Sequence, residues 1–111
     1  RVREHDVERR ADDGLADAQP LCKSLRELDL SSFVTTSVKN MYRMFSGCER
    51  LTELELISFD VSGVRDMSWM LCGCRSLTDL NLRYFDTSRV EFMGWMFEGC
   101  PAGSKWQHLL H

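Results

Sequence analysis

The chain has 111 residues, with 14 Lys and Arg against 17 Asp and Glu and a formal net charge of -3. This length accommodates one small domain, and scattered basic residues on an acidic chain give no electrostatic reason to expect nucleic-acid binding. No apolar run approaches the roughly 18 residues needed to cross a bilayer, so no membrane insertion by this chain is predicted.

The amino-terminal part is predicted to differ from the rest. Residues 1–14 are mostly charged. Such a segment buries too little surface to offset its ordering entropy, so it is predicted to be disordered or a frayed helix. Residues 15–24 are predicted to form a degenerate half-repeat or cap, because Cys22 precedes Cys48 by the same interval that separates Cys48 from Cys74.

Three copies of a 26-residue repeat follow, at 25–50, 51–76 and 77–102. Nine positions carry the same residue in all three copies; in the middle copy they are Leu51, Leu54, Leu56, Phe59, Val64, Met67, Met70, Gly73 and Cys74. A period of roughly 20 to 50 residues indicates a solenoid, a propeller or an array. Residues 103–111 depart from the pattern and are predicted to be a C-terminal tail or cap.

Each repeat is predicted to hold one short strand and one short helix. Leucines two apart, such as Leu54 and Leu56, share one face of an extended chain, which indicates a parallel strand in each coil. Asp60 and Asp86 then suit a side-chain-to-backbone turn. The helix is predicted from apolar spacing at Val64, Met67, Met70 and Leu71. Gly73 is predicted to take the left-handed conformation that ends a helix.

The cysteine spacing favours packing over metal binding. Cys22, Cys48, Cys74 and Cys100 stand one 26-residue period apart, so they are predicted to form a column of small buried thiols. A bridge between stacked neighbours is the alternative.

The repeats resemble a known family. The middle copy, LTELELISFDVSGVRDMSWMLCGC, and its neighbours are similar to the 26-residue repeat of BspA-like leucine-rich repeat surface proteins, typically LxxLDLSxFDTSxVTxMSxMFxGC. The similarity covers about residues 22–100. It implies an α/β leucine-rich-repeat-like solenoid, with one short parallel strand and one short helix per coil. It also implies a cell-surface or secreted protein used for adhesion or other protein contacts, although this chain shows no signal or anchor segment.

Catalytic chemistry is not predicted. The histidines, His5, His108 and His111, all lie in the terminal segments, so no nucleophile and base pair is recognisable. We therefore expect a chain that is not an enzyme and that has no cofactor and no metal site.

The main candidate surface is the outward, concave face of the predicted strands. Its residues are Glu27, Asp29, Glu53, Glu55, Asp79, Asn81 and Arg83. Carboxylates aligned one strand spacing apart repel one another. One interpretation is a binding face for a basic partner or a cation, and the other is a solvated acidic face that keeps the sheet soluble. The predicted function is a non-catalytic protein-interaction module that uses this face.

A second candidate surface is the aromatic pair Trp69 and Trp95, one 26-residue period apart. Helical counting places both on the convex side, where indoles stack on sugars or anchor a protein. The alternative is that they pack between coils. Two further functional hypotheses follow, a structural spacer or stalk that displays another domain and a carbohydrate-binding module.

Overall fold

The computed structural model describes residues 27–28 and 38–110. Three short strands, β1 (Glu27–Leu28), β2 (Glu53–Glu55) and β3 (Asp79–Asn81), form one parallel sheet in the order β1-β2-β3. A 3-10 helix, Pro101–Leu109, follows. The predictions for segments 1–14 and 15–24, and for Asp29 of the strand face, lie outside the described residues.

The sheet register follows the repeat. Glu53 pairs with Glu27 on one side and with Asp79 on the other, each at the equivalent position of a neighbouring repeat. Leu54 and Leu80 are buried in the middle of β2 and β3, while the residues on either side of Leu54 are exposed. Alternating leucines therefore drive the strands onto the core, as expected for extended chain.

A second ladder joins consecutive repeats through the segment after the strand. The Met41 amide donates to the Asp66 carbonyl at 2.8 Å, and the Arg43 amide donates to the Ser68 carbonyl at 3.0 Å. The intervening amide of Met44 donates back to Met41 at 3.2 Å. Alternate amides thus bond to the next repeat and to the residue three positions back. The ladder continues from donors Phe45, Gly47, Met67, Trp69, Leu71 and Gly73.

This ladder replaces the predicted helix. Among the described residues there is no α-helix, and the 3-10 helix at the carboxyl end is the one helical element. Arg43, Trp69 and Trp95 have φ angles of 56°, 62° and 60°, which a right-handed helix excludes. The predicted α/β leucine-rich-repeat-like solenoid, with one helix per coil, is therefore wrong. Three-residue turns bury the same apolar residues as a helix face, which explains the misleading spacing.

Two local predictions are confirmed. Gly47, Gly73 and Gly99 have φ angles of 79°, 80° and 72°, the left-handed conformation expected from their position. The carboxylates of Asp60 and Asp86 each accept the amide two residues ahead, at 3.0 Å, which closes the predicted turns.

The cysteine column is only partly a column of thiols. Cys48, Cys74 and Cys100 are buried, as predicted. Cys74 and Cys100 are free thiols, and the Cys74 Sγ donates to the Phe45 carbonyl at 3.1 Å. Cys48, however, is disulfide-bonded. Cys22 lies outside the described residues.

The 3-10 helix closes the strand side of the last repeat. The Ala102 amide donates to the Leu77 carbonyl at 3.1 Å, and the Trp106 Nε1 donates to the Leu80 carbonyl at 3.1 Å. Trp106, Leu109 and Leu110 pack against the core. The helix therefore takes the place that a fourth strand would occupy beside β3.

Candidate functional site

The first candidate surface, termed the acidic strand face, comprises Glu53, Glu55, Asp79 and Asn81. The three carboxylate residues are exposed and Asn81 is half-buried. Glu53 is in register with Asp79, and Glu55 is in register with Asn81. Because neighbouring strands lie about 4.8 Å apart, the register brings carboxylates side by side. The structure thus groups four of the predicted strand-face residues.

The two ends of the predicted strand face are placed differently. Glu27 pairs with Glu53 through β1, so the row of acidic residues continues in the sheet register. Arg83 lies in the turn after β3, where its amide donates to the Asn81 Oδ1 at 3.0 Å. The Arg83 guanidinium lies over the Tyr84 ring, with its Cζ 5.7 Å from the centroid. It therefore borders the acidic strand face and interacts with Tyr84.

Elsewhere the same repeat spacing brings opposite charges together. Arg65 lies 3.3 Å from Glu91, and Arg75 lies 3.5 Å from Glu49, each pair one repeat apart. All four side chains are largely solvated, so each pair contributes about 1 kcal/mol or less. Sequence reasoning missed these pairs, although opposite charges one repeat apart are a readable signal. These two ion pairs show that residues one repeat apart can carry opposite charges and lie close together.

The second candidate surface, termed the aromatic column, comprises Arg43, Trp69 and Trp95. The Trp69 and Trp95 ring centroids are 5.8 Å apart, with the planes tilted by 36°. The Arg43 Cζ lies 5.3 Å from the Trp69 centroid, within cation–π range. Trp69 is half-buried between these neighbours, whereas Trp95 is 61% exposed. Both sequence interpretations therefore apply, packing to Trp69 and exposure to Trp95.

Phe92 is another exposed aromatic residue of the third repeat, three positions before Trp95 in the chain. It is 58% exposed and occupies the repeat position of Asp66, whose Oδ1 accepts the Ser68 amide at 2.9 Å. Asn40 accepts the Tyr42 amide in the same way at 2.8 Å in the first repeat. A phenyl ring cannot accept this bond, so the third repeat exchanges a turn-closing side chain for an aromatic one. Sequence reasoning missed Phe92, although the change from Asn and Asp to Phe at one repeat position signals it.

Comparison with known proteins identifies the family. Residues 16–107 match the family described as "Mycoplasma protein of unknown function, DUF285". The chain belongs to this family. No curated protein and no solved structure matches the chain. The DUF285 match spans β1, β2 and β3 and most of the 3-10 helix.

In the described part of the DUF285 chain, the groups with shifted pKa values lie in turns or in the buried core. Hydrogen bonds from Ser62 hold the pKa of Asp60 below its usual value, and hydrogen bonds from Ser88 do the same for Asp86. Burial raises the pKa of the Cys74 thiol to about 12. Within the described residues, no group of three or more His, Cys, Asp or Glu is arranged to hold a metal ion. The same residues contain no helix long and apolar enough to span a membrane.

Proposed function

We propose that the chain is a non-catalytic protein-interaction module that binds a basic protein segment through the acidic strand face. The observation that supports this proposal is the register of Glu27, Glu53 and Asp79, which aligns acidic residues on neighbouring strands. Like charges directly opposite one another in a sheet are destabilising, whereas opposite charges contribute roughly 0.2–1 kcal/mol per pair. A Lys- or Arg-rich segment of a partner would place positive charges beside this acidic row.

The charge pattern of the other repeat positions strengthens this argument. Arg65 with Glu91, and Arg75 with Glu49, show that repeats one period apart pair opposite charges on other surfaces. On the strands, by contrast, the register places acidic residues beside acidic residues. Complementary charge speeds encounter and selects partners more than it adds affinity, so we expect binding that weakens steeply with salt.

We also propose an evolutionary relationship to a known class of surface proteins and a location outside the cytosol. The repeat motif supports a relationship to BspA-like surface proteins, and hence a cell-surface or secreted location with a role in adhesion. The disulfide at Cys48 also supports an oxidising compartment, because cytosolic thiols are kept reduced.

Two other functions are kept as alternatives. A structural spacer is favoured by the ladder that joins each described repeat to the next, since such a stack is rigid. Carbohydrate binding is favoured by the exposed indole of Trp95. A spacer predicts that surface substitutions leave every interaction unchanged, and sugar binding predicts a change in tryptophan emission on a glycan panel.

The test uses an oligolysine peptide as the probe and calorimetry at low and high salt. The first variant neutralises the acidic strand face with Glu53→Gln, Glu55→Gln and Asp79→Asn. We expect it to lose most of the peptide affinity. We also expect its thermal stability to be unchanged or slightly higher, because repulsion between strands is removed.

The matched control neutralises three carboxylates away from the strands, through Glu49→Gln, Glu91→Gln and Glu98→Gln. It has the same net charge as the first variant, so it corrects for non-specific attraction. We expect it to retain more of the peptide affinity than the strand variant. Equal loss of binding in both variants would show that the acidic strand face is not the site.

A further inference from the structure

The third repeat carries backbone donors for which the described part of the chain offers no acceptor. In the two preceding repeats, the alternate amides of the inter-repeat ladder all donate to carbonyls of the next repeat. The equivalent amides of the third repeat, here termed the donor edge, belong to Met93, Trp95, Phe97 and Gly99. No carbonyl of a described residue accepts from them. The donor edge therefore presents four amides at a fixed spacing of two residues.

The donor edge also carries an exposed indole and an exposed carboxylate. The 3-10 helix covers the strand side of this repeat, where it bonds to the carbonyls of Leu77 and Leu80. It leaves Trp95 61% exposed, and Glu98 is exposed as well. The ion pairs found among the described residues do not include Glu98. Tryptophan is enriched among the residues that anchor protein interfaces, so this edge has the composition of a binding site.

The packing one repeat earlier shows which side chain fits this position. Arg43 places its guanidinium over the Trp69 ring, with the Cζ 5.3 Å from the centroid. Burial raises the pKa of the Cys72 thiol, and the nearby Arg43 guanidinium opposes that rise. A guanidinium above Trp69 thus acts on two neighbouring side chains. One repeat later these two positions are held by Trp95 and Glu98. A guanidinium placed above them in the same way would meet an indole and a carboxylate.

We propose that the donor edge binds a segment of a partner protein that carries an arginine. Alternate carbonyls of the segment accept from the four amides, as each repeat accepts from the repeat before it. The arginine of the segment lies over the Trp95 ring and beside the Glu98 carboxylate. In complexes of this kind, main-chain hydrogen bonds give affinity and side-chain contacts give specificity. The arginine therefore sets the register in which the four carbonyls meet the four amides.

Arginine suits this position better than lysine. Its planar guanidinium stacks on an aromatic face and still directs N–H groups at a carboxylate, whereas an ammonium is a compact point charge. The contribution of the cation–π pair increases as the pair is desolvated. The same segment supplies acceptors to the backbone amides that it removes from water, so none of them is left buried without a partner.

The donor edge is distinct from the acidic strand face. The acidic strand face lies on β2 and β3, whereas the donor edge belongs to residues 93–99, which follow β3 in the chain. Binding at the donor edge depends on backbone acceptors and one arginine in a fixed register. Binding at the acidic strand face depends on the number of positive charges. The two proposals can therefore fail separately.

The test uses the full 111-residue chain and a blocked eight-residue peptide with the sequence of residues 40–47, NMYRMFSG. The equivalent residues of the second repeat, 66–73, include the ladder acceptors, so this arginine peptide presents carbonyls and arginine in the required register. Calorimetry measures its affinity. A control peptide with Arg43→Glu should bind roughly fivefold more weakly or worse, because it loses the cation–π contact and brings a second carboxylate to Glu98.

The first protein variant is Trp95→Arg. It should fold, because arginine already occupies this repeat position at Arg43 with a φ angle of 56°. It should bind the arginine peptide roughly fivefold more weakly or worse, and the glutamate peptide more tightly than the unmodified chain does. The matched variant is Tyr84→Arg, since Tyr84 is 64% exposed and lies in the turn after β3. It adds the same charge and should bind both peptides like the unmodified chain.

Amide hydrogen exchange followed by NMR gives the backbone readout. The arginine peptide should protect the four amides of the donor edge. The Glu98 amide already donates to the Trp95 carbonyl at 3.3 Å, so its exchange should change little. Such alternate protection distinguishes a main-chain ladder from a contact made by side chains alone. The strand variant, Glu53→Gln with Glu55→Gln and Asp79→Asn, should keep its affinity for the arginine peptide at physiological salt, where distant charges are screened.

Three results overturn the proposal. If the arginine peptide does not bind the unmodified chain, the donor edge does not accept such a segment. Equal weakening by Trp95→Arg and Tyr84→Arg assigns the binding to net charge alone. Loss of binding in the strand variant, without protection at the donor edge, places the peptide on the acidic strand face. That last result removes this proposal and supports the function proposed for the acidic strand face.

Discussion

The indole nitrogen of Trp106 donates to the carbonyl of Leu80 at 3.1 Å, across one full repeat of the chain. Trp106 therefore stands one repeat after Leu80, at the position of the next strand's buried leucine. The partly buried indole packs against the core. Its N–H bonds to the Leu80 carbonyl, which lies on the outer edge of β3. A 3-10 helix thus supplies both the apolar cover and the donor that a fourth strand would supply.

Trp106→Phe should weaken this closure. The phenyl ring keeps most of the apolar contact but cannot donate to Leu80, so the free energy of unfolding should fall by about 1 kcal/mol. Chemical denaturation of both proteins measures the difference. A larger fall in Trp106→Ala, and none in Trp106→Phe, would assign the whole effect to packing.

Gly103→Ala should displace the 3-10 helix. An added Cβ at Gly103 would lie 2.5 Å from the Cβ of Phe97 and 2.8 Å from its Cγ. Overpacking of this kind costs about 1–3 kcal/mol. The measurement is the denaturation midpoint together with proteolysis of residues 101–109. The neighbouring substitution Ser104→Ala is the control and should change little, because Ser104 is exposed.

Gly73→Ala and Gly94→Ala form a pair that separates backbone strain from space. Gly73 has a φ angle of 80°, and its added Cβ would make only ordinary contacts, 3.6 Å from the Gly47 nitrogen. The left-handed conformation should cost about 1–2 kcal/mol with alanine. Gly94 has nothing within 4 Å of an added Cβ, so its substitution should be neutral or slightly stabilising. Equal denaturation midpoints for the two variants would contradict the strain argument.

The free thiols should react in order of exposure. Cys72 is half-buried, whereas Cys74 is buried and has a pKa of about 12. At pH 8 only about one part in ten thousand of Cys74 is the reactive thiolate. Brief alkylation of the folded chain, followed by mass spectrometry, should label Cys72 first. Labelling after unfolding in denaturant is the control, and early labelling of Cys74 in the folded chain would refute the prediction.

Asp60 should titrate below 3.8, its ordinary pKa. The Ser62 hydroxyl donates to its carboxylate at 2.6 Å and the Ser62 amide donates at 3.0 Å, and both bonds favour the ionised form. The turn is therefore fully stabilised above pH 3.8 and loses this contribution as the pH falls through the lowered pKa. NMR titration measures the pKa of Asp60. Ser62→Ala should move the pKa back toward the ordinary value, and no movement would mean that the hydroxyl has no effect.

The sequence by itself determined the features that depend on local chain geometry. Alternating leucines predict the buried positions of β2 and β3, the glycine before each repeat cysteine predicts a left-handed backbone, and Asp60 and Asp86 predict closed turns. Each of these follows from residues a few positions apart. The repeat period also predicts which positions of neighbouring repeats lie side by side, and the register bears this out.

Only the tertiary structure decided the path of the segment that carries Met67, Met70 and Leu71. Its apolar spacing suits either a helix or a series of three-residue turns. The choice depends on whether alternate amides find acceptors within the segment or in the next repeat. The carbonyls of Phe92, Gly94 and Met96 supply those acceptors from the next repeat, and Trp69 takes a left-handed φ angle to reach them. The local sequence pattern cannot predict this choice, because the acceptors belong to a neighbouring repeat.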